Sequence, residues 1–493
     1  MCPLEWEDEL QTSSEKEAST SGAVTSAPQA AACSDLRSWL KHLSKTGRLA
    51  ITKPGIALEF ELAGIANRLD GRMASFFPNP GGQDGIVVSG LMSDRSWMAE
   101  ALGVENGQLL DHFQNAAAKP LPWEEVPQAL CHEVVNRDPD LGRLPIPTHN
   151  EHDSGAYITA GLLIVRNPKT GRQNVSIHRL QVSGKARLGA LLLPRHTLAF
   201  QEMAEEEGKD LDVAVVIGAG PASMLASQAI APMDQDELEI AGALIGRPLA
   251  VTKCINSELR VPADSEIVIE GRFLANTREM EGPFGEFPQY YGEQAKRHVI
   301  EVDLITSRRN PIFHTIVGGG LEHLLLGGIP REATILADLR RNFPGVRDVH
   351  LSKGGVCRYH LYVQLRKRFE GEGKNLIMAA LAAHYDIKHV MVVDEDVDIH
   401  DPAQVEWAVA TRFQAHRDLV VVDNSLASKL DPSTDNGVGS KLGFDATVPL
   451  SATEMRFKRI RVPGQENIDL AAVTDAGADL SEYLENPKTL GAA

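Results

Sequence analysis

Apolar side chains at Leu36, Trp39, Leu40 and Leu43 recur at intervals of three and four directly after Ser34-Asp35, which predicts an N-capped helix with one buried face. The stretch 144–153, rich in proline and polar groups, reads as a linking loop that leads into a strand over 157–165. Asn167-Pro168-Lys169-Thr170-Gly171 supplies turn residues, so a second strand over 174–182 completes a hairpin. Strand-like runs follow at 188–193, 213–217, 249–254, 267–269, 299–306 and 312–317, with helical spacing around 198–207 and 236–245. Many strands with few helices predict a barrel-like middle unit. Beyond about Gly328 helix and strand alternate, at 332–342, 346–351, 376–385, 390–393, 403–413 and 419–422, the pattern of a separate α/β layer. The expected protein is multi-domain α/β (α+β): an α/β unit over 35–121, a strand-rich unit over 122–328, an α/β layer over 329–460, and a tail or helix over 461–493.

Residues 1–34 are rich in Ser, Thr, Ala and Glu and poor in large apolar groups, so they bury too little surface to offset their ordering entropy and read as a disordered tail. At 493 residues the chain exceeds what one core usually serves, and 43% hydrophobic with 24% charged residues is an ordinary globular composition. A net charge of −18 argues against a surface that tracks nucleic-acid phosphates. No apolar run approaches the roughly 20 residues that span a bilayer, and no secretion signal is evident, so a cytoplasmic protein is expected. Cys2, Cys33, Cys131, Cys254 and Cys357 are scattered, which points neither to a disulfide framework nor to a zinc knuckle.

Chemistry concentrates in a few segments. In Glu281-Gly282-Pro283-Phe284-Gly285-Glu286 a constrained turn carries two acids that can face one site, a geometry suited to proton transfer. By itself such a turn more often carries two solvated acids. In Asn174-Val175-Ser176-Ile177-His178-Arg179 strand alternation puts Asn174, Ser176 and His178 on one face and Arg179 on the other, so the strand must twist or end there if all act together. Val215-Val216-Ile217-Gly218-Ala219-Gly220-Pro221-Ala222-Ser223 is similar to a dinucleotide-binding turn, with Ser223 in place of the third glycine. That motif keeps an FAD- or NAD-dependent oxidoreductase open as an alternative, beside a catalytically silent flavin-binding scaffold.

The succession Asn-x-Ser-Ile-x-Arg, then Pro194-Arg195-His196, then Glu-Gly-Pro-x-Gly-Glu resembles the UbiD-type decarboxylases, including the ferulic acid and furandicarboxylate enzymes, over roughly residues 36–460. The resemblance implies a central split β-barrel that binds prenylated FMN and a C-terminal domain through which relatives form dimers or hexamers. It implies Arg179, Glu281 and Glu286 as the catalytic set, with Glu286 protonating the carbon that CO₂ leaves. It implies Mn²⁺ (or Mg²⁺) at the cofactor phosphate, held by Asn174, His196 and Glu237, and K⁺ near Val175, Ala226 and Ser227. Ser176, Ile177, His178, Arg195 and Lys388 fall at cofactor-contacting positions, and His323, Leu326 and Arg331 in the segment that lines the substrate pocket. For Glu237, at the start of a helix, simple capping would otherwise be the natural reading. Loss of CO₂ from an sp² carbon needs an electron sink that side chains do not provide, so a cofactor is chemically required; the resemblance implies a flavin prenyltransferase as its supplier. The implied substrates are aromatic, heteroaromatic or α,β-unsaturated acids, and a buried Arg331 leans toward a second polar or acidic group.

Overall fold

The computed structural model describes residues 33–474, 477 and 480–485, so the expected tail over 1–34 lies almost wholly outside the described residues, as does part of 461–493. The helix Leu36–Lys45 starts where its cap predicts, with the Asp35 carboxylate accepting from the Ser38 amide at 2.7 Å. Its apolar face, Leu36, Trp39, Leu40 and Leu43, is buried, each such side chain contributing about 1.5–3 kcal/mol. In the adjoining four-stranded sheet, Leu49–Ile51, Ala74–Pro78 and Ile86–Ser89 are joined by Ile312–His314 from far downstream.

The middle of the chain forms a nine-stranded sheet in which every recorded pairing is antiparallel. Its backbone is the pair Ile267–Glu281 and Ala295–Ser307, far longer than the apolar runs at 267–269 and 299–306 foretold. The extension carries Arg272, Asn276, Thr277, Arg278 and Glu279, so its alternation is polar against polar and is invisible to a hydrophobic reading. That length carries Glu281 to the site.

The strand expected over 174–182 is two strands. Gln173–Ile177 pairs with Leu162–Arg166, whereas Leu180–Gly184 pairs with Arg187–Ala190 and Tyr157–Ile158. The chain changes neighbours at His178-Arg179, which frees Arg179 from the alternation that would have turned it away.

The glycine-rich turn does not open a dinucleotide fold. The strand Leu211–Ile217 lies between two antiparallel partners and the helix after it, Pro221–Ala226, is six residues long. A Cβ on Gly220 would sit 2.8 Å from the Ser34 carbonyl oxygen, so this glycine admits the incoming N-terminal segment rather than a pyrophosphate.

The C-terminal layer is a five-stranded sheet in the order Val346–Leu351, His360–Leu365, His389–Asp394, Val438–Ala446, Leu419–Leu426. Two of these, His360–Leu365 and Val438–Ala446, are not among the strands expected from the sequence. The helix expected from 332 begins at Leu321 and runs to Asn342 through Pro330. Proline removes one helix hydrogen bond and crowds the carbonyl four residues back, but Leu324, Leu325, Leu326, Ile329, Ala333 and Leu336 are all buried, and that packing outweighs the local penalty. Among the described residues no helix is long and apolar enough to cross a membrane.

Candidate active site

The Arg179 guanidinium lies between two acids: Nη2 donates to Glu281 Oε2 at 2.9 Å and Nη1 donates to Glu286 Oε1. All three side chains are shielded from solvent, Glu281 completely. Phe284, between the acids in sequence, puts its ring 5.2 Å from the guanidinium carbon. Among the described residues Glu281 Oε1 and Arg179 Nε are buried without a hydrogen-bond partner, so the set keeps hydrogen-bonding capacity in hand. Burial pushes the Glu286 carboxyl above its usual range, Arg179 pulls it back, and Glu281 pushes it up again, leaving it raised. The two acids hold Arg179 above its ordinary value even though burial works against its charge.

The turn that bears the acids is pinned from several sides. Asp153 accepts from the Gly285 amide at 2.8 Å and from the Asn150 amide at 2.9 Å, and the Gln181 side chain accepts from Gly282 N–H at 3.1 Å. Tyr157, fully buried, packs on Phe284 at 4.5 Å between centroids and donates to Gln181. The stretch 144–153 is therefore more than a linker. Asp153→Ala is expected to lower kcat of cofactor-loaded enzyme about tenfold to a hundredfold through misplacement of Glu286, with flavin affinity retained; unchanged kcat would show that the turn holds itself.

Asn174, His196 and Glu237 come together at the start of the strand that ends near Arg179. Asn174 Oδ1 lies 3.0 Å from His196 Nδ1, and Glu237 Oε2 accepts from the Val175 amide at 2.6 Å. Burial raises the Glu237 carboxyl to about 8 and lowers the His196 imidazole. Ser176 and His178 continue this polar line, 3.0 Å apart, with Thr197 joining Asn174 and Ser176. Ile177 packs on the main core, Val175 and Ala226 are buried, and Ser227 donates to the Met224 carbonyl at 2.7 Å. Among the described residues no three His, Cys, Asp or Glu side chains form a metal-holding group; this set contains two of those types and an amide.

The remaining candidates lie on other elements of the fold. Lys388 is engaged by Asp431 at 2.8 Å and by Ser433 at 2.6 Å. Arg195 stands at the N-cap position of the helix His196–Glu206 without a side-chain capping bond, and its Nη2 reaches Tyr385 Oη at 3.5 Å. His323 accepts the Gly319 amide at 3.2 Å and meets the edge of the Phe287 ring, Leu326 is buried, and Arg331 Nη1 donates to the Gly327 carbonyl. Sequence reasoning missed Phe284, Phe287, Asp153, Tyr157 and Arg358, which no spacing rule singles out.

Models of three 3-octaprenyl-4-hydroxybenzoate carboxy-lyase domains match the chain: N-terminal over 40–117, Rift-related over 124–321 and C-terminal over 324–446. Among solved structures, the UbiD-class enzyme HmfF from Pelotomaculum thermopropionicum in complex with FMN superposes with a TM-score of 0.88 at 46% identity, over 89% of this chain and all of that one. An evolved dimeric form of HmfF in complex with prFMN gives 0.84 at 44% identity, over 90% of this chain and 100% of its own. An anhydromevalonate phosphate decarboxylase from Methanothermobacter thermautotrophicus is 38% identical over 85% of this chain and 98% of its own. Fold and comparisons together define a decarboxylase of the carboxy-lyase class. The chain belongs to the UbiD family.

Proposed function

We propose that this protein catalyses reversible, non-oxidative decarboxylation of an aromatic, heteroaromatic or α,β-unsaturated carboxylic acid with prenylated FMN, and that Glu286 delivers the proton. The observation that carries the reading is the buried Glu281–Arg179–Glu286 set, in which one acid is raised while its neighbour holds the cation. FMN and prFMN in the HmfF structures support the choice of cofactor. When bound, that group supplies the electron sink that CO₂ loss requires.

The protein's own residues do the rest. Arg179 orients the substrate carboxylate, since a planar guanidinium matches it and both acids fix its plane. Glu281 holds Arg179 in place. Glu286, whose carboxyl burial raises above its ordinary value, donates its proton to the carbon left by CO₂ and is reprotonated from solvent once product departs. Phe284, Phe287 and Leu326 exclude water, so the proton comes from the positioned acid.

The donor chemistry of Asn174, His196 and Glu237 suits Mn²⁺ or Mg²⁺ beside a phosphate, with further ligands drawn from the cofactor. In this reading K⁺ lies by Val175, Ala226 and Ser227, and Ser176, Ile177, His178, Arg195 and Lys388 face the cofactor. A flavin prenyltransferase supplies it, and the protein works as a homo-oligomer, dimer or hexamer, in the cytoplasm. His323, Leu326 and Arg331 form the substrate end of the site.

Co-expression with a flavin prenyltransferase, followed by mass and absorbance analysis of the bound cofactor, tests the reading. The expected result is prenylated FMN, with CO₂-dependent exchange of ring or vinyl hydrogens for deuterium in at least one of a panel of unsaturated acids. Bound FAD, or a loaded enzyme that exchanges none of them, would overturn it.

A further inference from the structure

The segment 315–320, which leads from the strand Ile312–His314 into the helix Leu321–Asn342, lies across the turn that carries Glu286. At Gly318 the two backbones touch: a Cβ there would lie 2.4 Å from the Gly285 carbonyl oxygen and 3.3 Å from its carbon. Gly318 has no positive φ, so its conformation suits any residue and the contact alone asks for glycine. The Gly285 carbonyl shares a rigid peptide plane with the Glu286 amide, which donates to the Tyr290 carbonyl at 2.9 Å. A methyl group at 318 therefore moves Glu286 as well, since the carbonyl must retreat by roughly 0.6 Å or more to reopen the contact to 3.0 Å.

The other side of the contact is fixed. The Thr315 amide donates to the Val88 carbonyl at 3.0 Å, and the Thr315 hydroxyl lies 2.7 Å from His149 Nε2 and 3.0 Å from Thr159 Oγ1. Thr159 accepts in turn from the Ile316 amide at 2.9 Å, and His149, Thr159 and Thr315 are all buried. Burial lowers the His149 imidazole to about 4, so it stays neutral and serves as a hydrogen-bonding post. At the far end the Gly319 amide donates to His323 Nδ1 at 3.2 Å and the Leu321 amide to Asp70 at 2.5 Å. One loop holds both partners: His149 fixes the segment 315–320, while Asn150 and Asp153 fix the turn. A Cβ on Gly285 would lie 2.5 Å from Asn150 Nδ2, so the turn is closed in on that side too. Beyond Gly320 the chain becomes the helix that bears His323 and Leu326.

We propose that Gly318 is a positioning residue for the reaction: by carrying no side chain it seats the Gly285–Glu286 peptide against a fixed segment, and so holds the Glu286 carboxyl on Arg179 and in register with the following helix. The inference rests on the decarboxylase reading above and names what keeps its proton donor in place.

Thermal melts of FMN-loaded wild type, Gly318→Ala, Glu286→Gln and the double variant at pH 5 and pH 8 read the seating without any substrate. Glu286 faces Arg179 and Glu281, and Tyr157 is the further titratable group felt by Arg179. Drawn away from Arg179, the charged form of Glu286 loses more than the protonated form, so the deficit of Gly318→Ala is expected to be larger at pH 8 than at pH 5. In the Glu286→Gln background the deficit is expected to be equal at both. A pH-independent deficit in the single variant would overturn the proposal and leave Gly318 as ordinary packing. Its part in the reaction is read with prenylated-FMN-loaded protein on furan-2-carboxylate, furan-2,5-dicarboxylate, 4-hydroxybenzoate and cinnamate. For the acids that wild type decarboxylates, kcat is expected to fall about tenfold to hundredfold with KM changed less than about threefold; unchanged kcat would equally overturn it. Should Gly318→Ala not fold, Asn150→Ala with Gly318→Ala, which opens room for the turn to retreat, is compared with Asn150→Ala by the same criteria. A wild type that releases CO₂ from none of these acids defeats the decarboxylase reading instead, and the melts still decide whether Gly318 seats Glu286.

Discussion

Glu286→Gln is expected to abolish decarboxylation, a loss on the order of 10²–10⁴ or more, while flavin binding stays near wild type. Glutamine preserves the shape of the side chain and can still accept from Arg179, so the turn and the guanidinium keep their places. What it lacks is a proton to give. Because burial holds the Glu286 carboxyl above its ordinary value, the acid form persists further toward neutrality, and activity should fall as pH rises through that raised value. The linkage has a definite sign. The folded state binds this proton more tightly than the unfolded chain, whose carboxyl titrates near 4.3, so Glu286 costs stability progressively as pH rises above about 4.3. The variant should therefore gain on wild type in thermal melts between pH 5 and 8. Full turnover by Glu286→Gln would remove the assignment.

Arg179→Met is expected to be the most damaging change to stability. Removing one partner of a buried ion pair typically costs about 3–5 kcal/mol, because the charge left behind is uncompensated. Here two acids are left in a water-excluded site. Glu286, already raised by burial and by Glu281, loses the cation that pulled it down and rises further. Proton uptake then relieves part of the loss, so the deficit should be largest near pH 8 and shrink near pH 5. Denaturant titrations at the two pH values measure it; an equal deficit at both would show that packing on Phe284, not charge, sets the cost. Hydrogen–deuterium exchange of the substrate should disappear in the same variant.

Much of the architecture was readable because local patterns encode local structure. The helix at Leu36 carries both its cap and its apolar face in sequence, and the alternation beyond Gly328 marks a layered α/β unit. The errors have a common cause. The strand Ile267–Glu281 was foreseen at only its apolar beginning, since its polar half is held by pairing with Ala295–Ser307 rather than by burial. The helix Leu321–Asn342 was cut at Pro330, where a local rule yields to packing. The glycine turn at Gly218 imitated a nucleotide motif because close backbone packing asks for the same residue as a phosphate does.

The sequence by itself determined the class of chemistry: a family resemblance resting on Arg179, Glu281, Glu286 and the Asn174, His196, Glu237 set. Spacing along the chain says which groups are present. Only the tertiary structure decided how they meet. The change of strand partners at His178-Arg179 turns the guanidinium between acids about a hundred residues away, the long polar ribbon delivers Glu281, and Asp153 pins Gly285. Likewise only the fold brings Arg358 against Gly327 and Arg331. These contacts join residues distant in sequence, so no local propensity records them; they exist because burying the sheets and the long helix together leaves those side chains one place to go.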